Sequence, residues 1–179
     1  MKLEYHIPNK FYYIRNFLDY NTYKQIHYDV FRNKVLNLKN VENWFQPQLL
    51  HGFKNFIHHA YIKDDYKPLQ KIKILLATNP FYKINPKQKF TAAFHSTPDG
   101  AGLNWHYDGI YDYGITYYIN KRWDQSFGGE FMFKHENCNG FLPYYGNSII
   151  IIKTPLSHKV SPVMKPTVSR KTIQIFVDK

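Results

Sequence analysis

Cysteine is nearly absent. The 179 residues contain one, Cys138. A single thiol cannot close an intramolecular disulfide, so a reducing interior is expected. Long apolar runs are missing as well. The longest are too short to span a bilayer, which argues against a transmembrane helix. Met1–His6 lacks the apolar core of a signal peptide. These absences predict a cytoplasmic protein without a membrane partner. No Pro/Ser-rich linker, charge block or repeat divides the chain. Residues 1–179 therefore read as one domain, large enough for a real core. Arginine is scarce, four residues against 20 lysines, although the net charge is +11. Such a charge suits an anionic partner such as nucleic acid. Yet no compact basic run is interleaved with aromatics. Asn, Ile, Tyr and Phe are abundant too, and they share AT-rich codons with Lys. The basicity is read as compositional.

What the chain does have is a series of short strand-like segments. They are Lys89–His95, Leu103–Asp108, Ile115–Ile119, Glu130–Phe133, Ser148–Lys153, Ser157–Pro162 and Thr172–Val177. Gly, Pro and Asn turns separate them, which predicts a sandwich or barrel. Four consecutive isoleucines, 149–152, mark a fully buried strand. The first eighty or so residues read as support. Phe11–Phe17 reads as a strand by its aromatic and apolar content. Thr22-x-x-Gln25 is a candidate capping box, with Tyr23, Ile26, Val30 and Phe31 on one helical face. A second helix is predicted from Pro68, with Leu69, Ile72, Leu75 and Leu76 as its apolar side and Asn79-Pro80 as its stop. Val41–Ile57, with Trp44 and Phe45, fits either a strand flanking a sheet or part of a substrate wall.

The pattern richest in chemistry is His106-Tyr107-Asp108, with His158 and Arg170 downstream. On a strand, alternate side chains share a face, so His-x-Asp aims an imidazole and a carboxylate at one point. A third ligand from a distant strand would complete the 2-His-1-carboxylate face of non-haem Fe(II) oxygenases, leaving positions open for a cosubstrate and O2. Each residue alone has a plainer explanation. His158 suits a hydrogen-bonded core histidine, Asp108-Gly109 a hairpin turn, and Arg170 a surface ion pair. Together with the strand pattern, they point to a chain that is mostly β with supporting helices, built on a double-stranded β-helix, a cupin-like jelly roll.

Residues 88–178 resemble the 2-oxoglutarate/Fe(II)-dependent dioxygenases, closest to the prolyl 4-hydroxylase branch. The resemblance rests on Tyr117-Tyr118-Ile119-Asn120 with Trp123 and Gly128-Gly129-Glu130. It rests also on Pro143–Asn147, the apolar strand leading to His158–Val163, and Arg170–Phe176. It implies His106, Asp108 and His158 as Fe(II) ligands. It implies a basic residue for the far carboxylate of 2-oxoglutarate, for which Arg offers a bidentate fork. Arg170 and Lys171 compete for that role. The family's inward aromatic six residues on puts 170, 172, 174 and 176 on one face, which selects Arg170. The spacing from His158 exceeds the usual one, implying a bulge or longer turn near Lys165-Pro166. Tyr118, Thr172, Val160 and His95 are the further candidates for the cosubstrate pocket. The cofactors implied are Fe(II), 2-oxoglutarate and O2, with ascorbate as a reductant.

The loop Gly109–Gly114 is expected at the pocket mouth, making Tyr111, Asp112 and Tyr113 the substrate candidates. Trp105 and Tyr107 are expected to pack against the other layer. Residues 1–87 would support a catalytic core of 88–178. The resemblance favours a prolyl residue of a peptide or protein as substrate. A nucleic-acid-modifying or free amino acid dioxygenase and a non-catalytic cupin-like binding module are the alternatives. Phe176 stands where the alkylation-repair branch usually has a second Arg, which counts against nucleic acid. Asp108 keeps the carboxylate that halogenases lack.

Overall fold

A computed structural model of the chain describes residues 1–32, 39–40, 47–79, 82, 84–136, 138–165 and 167–179. The strands are β1 (Lys2–Ile7), β2 (Phe11–Arg15), β3 (Lys39–Asn40), β4 (His58–Tyr61), β5 (Phe90–Thr97), β6 (Leu103–His106) and β7 (Tyr111–Tyr118). They continue as β8 (Phe131–His135), β9 (Cys138–Leu142), β10 (Ser148–Lys153), β11 (Ser157–Val160) and β12 (Arg170–Asp178). Two helices, α1 (Tyr20–Phe31) and α2 (Lys67–Thr78), precede β5. The strands form an 8-stranded sheet, β1-β2-β10-β7-β12-β5-β4-β3, and a 4-stranded sheet, β6-β11-β8-β9. All the pairings are antiparallel. The two sheets face each other as a jelly roll, and β1–β4 of the N-terminal half widen the larger one.

The isoleucine run shows how the layers are built. β10 lies between β2 and β7 inside the large sheet. Ile149 and Ile151 face the helices, with Tyr23 and Ile26 of α1 and Leu69, Ile72 and Leu76 of α2. Ile150 and Ile152 face the small sheet, with Phe131, Phe133 and Leu142. A strand covered on both faces has no reason to alternate. β11, by contrast, buries only His158 and Val160 fully, because one face of the small sheet is open to solvent.

Local details depart from the sequence expectations in three places. α1 is capped by Asp19, whose carboxylate accepts from Thr22 N–H at 3.1 Å and from the Thr22 hydroxyl at 2.6 Å. Gln25 does not close a box with Thr22 but bonds Asp29 at 2.8 Å. Phe31 is not core; it is exposed and stacks on His27. In the stretch 41–57, Trp44 and Phe45 lie outside the described residues, as does Pro80. The remainder is a short 3-10 turn, Pro47–Leu49, followed by a loop. Leu50 and Ile57 pack with Ala101, Leu103 and Val160. The Asn104 amide donates to the carbonyls of Gln48 and His51, tying this loop to β6.

Candidate active site

β6 and β11 are antiparallel neighbours, and His106 stands directly opposite His158. Their ring centroids are 4.2 Å apart. Asp108 follows β6 by two residues and turns back between them. His106 Nε2 is 3.8 Å from Asp108 Oδ1, and His158 Nε2 is 3.5 Å from Oδ2. One ligand atom from each of the three lies within 4.8 Å of the others.

The proton positions follow from the partners. Nδ1 of His106 is 2.7 Å from the Asn104 carbonyl, and Nδ1 of His158 is 2.9 Å from the Leu156 carbonyl. A carbonyl can only accept, so each Nδ1 carries the proton and each Nε2 offers its lone pair. Burial pushes the His158 pKa down to about 4, against the opposing pull of Asp108. The Nε2 atoms of both imidazoles thus face a buried carboxylate. Asp108 Oδ2 has no hydrogen-bond partner among the described residues. Three acceptors converging without a donor are unfavourable unless they share a cation. This donor set suits Fe(II), and the Nδ1–carbonyl bonds supply the orientation that metal-bound histidines need.

Behind the triad, the inner face of β12 presents Arg170, Thr172, Gln174 and Phe176. They line a narrow cavity with His95, Thr97, Thr116, Phe131 and Val160. Arg170 is 4% exposed. Its Nε and Nη2 have no hydrogen-bond partner, and it joins none of the ion pairs among the described residues. Its guanidinium lies 5.0 Å from the Tyr118 ring centroid and 5.8 Å from that of Tyr144. The buried Thr97 and Tyr118 hydroxyls also make no hydrogen bond. Burial raises the Tyr118 pKa, with Arg170 opposing, so the phenol stays a donor. A buried cation with adjacent hydroxyl donors is a site for a carboxylate. The cavity volume is about 30 Å³, too narrow for a five-carbon diacid until side chains along its wall turn outward.

Lys171 points to the opposite face, where its ammonium donates to the Ser96 hydroxyl. Burial lowers its pKa. His95 is buried on the same wall as Thr172, its Cα partner across the strands. Burial, then His59 and Arg170, lower its pKa to about 3. Val160 lies in the apolar floor with Leu103 and Ile57. The long connection from β11 to β12 is held by Val163, whose N–H donates to Ala101 O and whose carbonyl accepts from Gly100. Pro166 lies outside the described residues. The Gly128-Gly129 turn also shapes the pocket. A Cβ on Gly129 would fall 3.0 Å from Arg170 Cδ, and Trp123 Nε1 donates to the Gly128 carbonyl.

The mouth differs from expectation. β7 already begins at Tyr111, so the loop is shorter than Gly109–Gly114. Tyr111 stacks on Phe176 with centroids 4.4 Å apart and does line the mouth. Asp112 does not; its carboxylate accepts from Gln88 Nε2 at 3.2 Å. Tyr113 is buried among the helix-side residues, and its hydroxyl donates to the Tyr82 carbonyl. Strand alternation keeps it with Ile115 and Tyr117 on the helix side, and a register shift between Tyr111 and Tyr113 breaks that alternation at Tyr111. Among the described residues, Trp105 and Tyr107 pack against no second layer. Trp105 lies under the ammonium groups of Lys134 and Lys159, at 4.3 and 5.3 Å. Tyr107 is 63% and Ile110 77% exposed. Both line the mouth, with Gln48, Leu49 and Phe176. The sequence did not single out Ile110, Gln48, Leu49 or Gln174 as site residues, although Ile110 lies in the expected mouth loop, Gln48 and Leu49 in the stretch that fitted a strand or a substrate wall, and Gln174 on the face of Arg170. Gln174 Oε1 accepts from the Thr116 hydroxyl at 2.8 Å inside the cavity.

Comparison with known proteins follows this geometry. The family model described as the 2OG-Fe(II) oxygenase superfamily matches residues 91–178. No curated protein matches the sequence. Solved structures do resemble the fold. A prolyl-4-hydroxylase from Pseudomonas putida superposes with a TM-score of 0.73 at 12% identity, covering 96% of this chain and 93% of that one. A prolyl hydroxylase from Trichoplax adhaerens, in complex with a hypoxia inducible factor oxygen degradation domain peptide fragment, gives 0.73 at 19% identity, covering 95% and 84%. The viral collagen prolyl hydroxylase of Paramecium Bursaria Chlorella virus-1, as its 2OG complex, gives 0.65 at 13%, covering 94% and 95%. Residues 91–178, which carry His106, Asp108, His158 and Arg170, match the 2OG-Fe(II) oxygenase superfamily.

Proposed function

We propose that the protein hydroxylates a C–H bond of a prolyl residue in a peptide or protein. The observation that carries this reading is the mouth beside His106 and Asp108. It is lined by Trp105, Tyr107, Ile110, Tyr111 and Phe176, with no lysine or arginine among its described lining residues. Its volume is about 560 Å³. A neutral aromatic rim suits an uncharged aliphatic ring presented by a peptide. Lys134 and Lys159 reach only its Trp105 edge and are not among the lining residues. The similar structures, prolyl hydroxylases and one peptide complex among them, support the same substrate class.

His106, Asp108 and His158 would hold Fe(II). Arg170, with Tyr118 and Thr97, would take the far carboxylate of 2-oxoglutarate. Fe(II) held there, with 2-oxoglutarate and O2, would supply the oxidising power for hydroxylation, 2-oxoglutarate being converted to succinate and CO2. The protein's part is position and exclusion of water. His106 and His158 turn their Nε2 atoms inward, with each Nδ1 held by a backbone carbonyl. Arg170 neutralises a buried negative charge, and Phe176 with Tyr111 walls the substrate side.

The deciding experiment incubates the full chain with Fe(II), 2-oxoglutarate and a peptide library, following succinate and a mass gain of one oxygen on the peptide. Proline-containing peptides should stimulate succinate release and gain the oxygen. Stimulation by methylated single-stranded oligonucleotides but not by any peptide would transfer the proposal to nucleic acid.

A further inference from the structure

Gly114 occupies an unexpected place for a glycine. It lies inside β7, the second strand of the central trio, opposite Ile152 of β10 and Phe176 of β12. Glycine weakens such positions, and its presence there often marks a close approach by another group. Backbone conformation is not the reason, since Gly114 is not among the positive-φ residues. Space is. A Cβ built on Gly114 would lie 2.3 Å from Asp108 Oδ2, 3.3 Å from Cγ and 3.7 Å from Cβ. The three nearest atoms all belong to Asp108.

We infer that Gly114 is a positioning residue whose missing side chain is the seat of the Asp108 carboxylate. Asp108 stands just beyond the end of β6, where no ladder holds its backbone on the far side. Its backbone carbonyl accepts from Tyr111 N–H in the turn, but Oδ2 has no hydrogen-bond partner. What confines the carboxylate is therefore contact with the bare backbone of Gly114. Any larger residue there would push the oxygen out of line with His106 Nε2 and His158 Nε2. This rests on the reading of the triad as a metal site.

The test uses the full chain and Mn(II) as the probe, read by the loss of the free-ion resonance, beside circular dichroism and thermal unfolding without metal. Gly114→Ala should fold, because the carboxylate is the flexible end of its side chain and can swing away. Its Mn(II) dissociation constant should rise about tenfold or more, as for other residues that orient metal ligands. In an Asp108→Ala background, the same substitution should change the residual affinity by less than about twofold, since the coupling runs through the removed group. Native affinity in Gly114→Ala, or an equal loss in the Asp108→Ala background, overturns the inference. Should Gly114→Ala fail to fold, Asp108→Ala/Gly114→Ala decides: recovery of the fold supports the clash with Asp108, and continued failure refutes it. Equal Mn(II) binding by the native chain and Asp108→Ala would instead sink the metal reading itself.

Discussion

At the scale of single residues, the site is a contest between neighbours decided by strand parity. Arg170 and Lys171 are both basic and adjacent. Arg170 faces the cavity with two unpartnered nitrogens, while Lys171 faces the other way and bonds Ser96. Removing one partner of a buried charge pair costs about 2–5 kcal/mol. Arg170→Ala should therefore weaken 2-oxoglutarate binding by about 30-fold or more, at roughly 1.4 kcal/mol per tenfold. Lys171→Ala should leave that affinity unchanged. Titration of the Mn(II)-loaded protein with 2-oxoglutarate measures both, and the reverse order of effects would show that the guanidinium does not bind the diacid.

At the scale of elements, the helices matter through the large sheet they cover. α1 begins at a cap that the capping-box pattern misplaced. Asp19 holds the Thr22 N–H and also pairs with Lys71 of α2 at 2.5 Å. The Lys71 ammonium, then Thr22, hold the Asp19 carboxyl far below the usual carboxylate range. Loss of an N-cap costs about 0.5–2 kcal/mol. Asp19→Ala should lower the unfolding free energy by about that amount. Gln25→Ala should stay within about 0.5 kcal/mol, as exposed positions do. Urea denaturation compares the two, and a larger loss for Gln25→Ala would restore the box. Asp19 was overlooked because Thr22 is itself a good cap. The choice between them depends on where Leu18 is anchored, and Asn147, 129 residues away in sequence, anchors it.

At the scale of the whole molecule, two histidines are folded into the interior as neutral groups. His95 has its pKa lowered to about 3 and His158 to about 4, chiefly by burial, from an ordinary 6.5. The unfolded chain binds protons at these sites below pH 6.5, and the folded chain does not until pH falls to those lower values. More protons on the unfolded state means stability rises with pH. Metal-free protein should therefore lose stability as pH falls from about 6.5 towards 4 and 3. His95→Asn should flatten that slope. A urea midpoint independent of pH across this window would show that the imidazoles are solvated. Among the described residues, no helix is long and apolar enough to cross a membrane.

Local chemistry was enough to read the strands, the isoleucine run and the His106-x-Asp108 pair; His158 and Arg170 were singled out through the family resemblance. Strand periodicity is a short-range property, and residue type with parity already says which groups share a face. The sequence also allowed Asp112 and Tyr113 at the mouth, because Gly109–Gly114 has the composition of a loop. Only the folded sheet decided otherwise. Pairing of β7 with β12 begins at Tyr111, and long-range hydrogen bonds outweigh local turn preference. The same holds for Gly114. In the sequence it looks like a turn residue, and its meaning appears only when Asp108, six residues earlier, is folded back against it. Trp105 was placed against a second layer by the correct parity, but parity cannot tell which face of a sheet is covered. That depends on where the helices dock, and both cover the large sheet, leaving Trp105 beside Lys134 and Lys159 at the mouth.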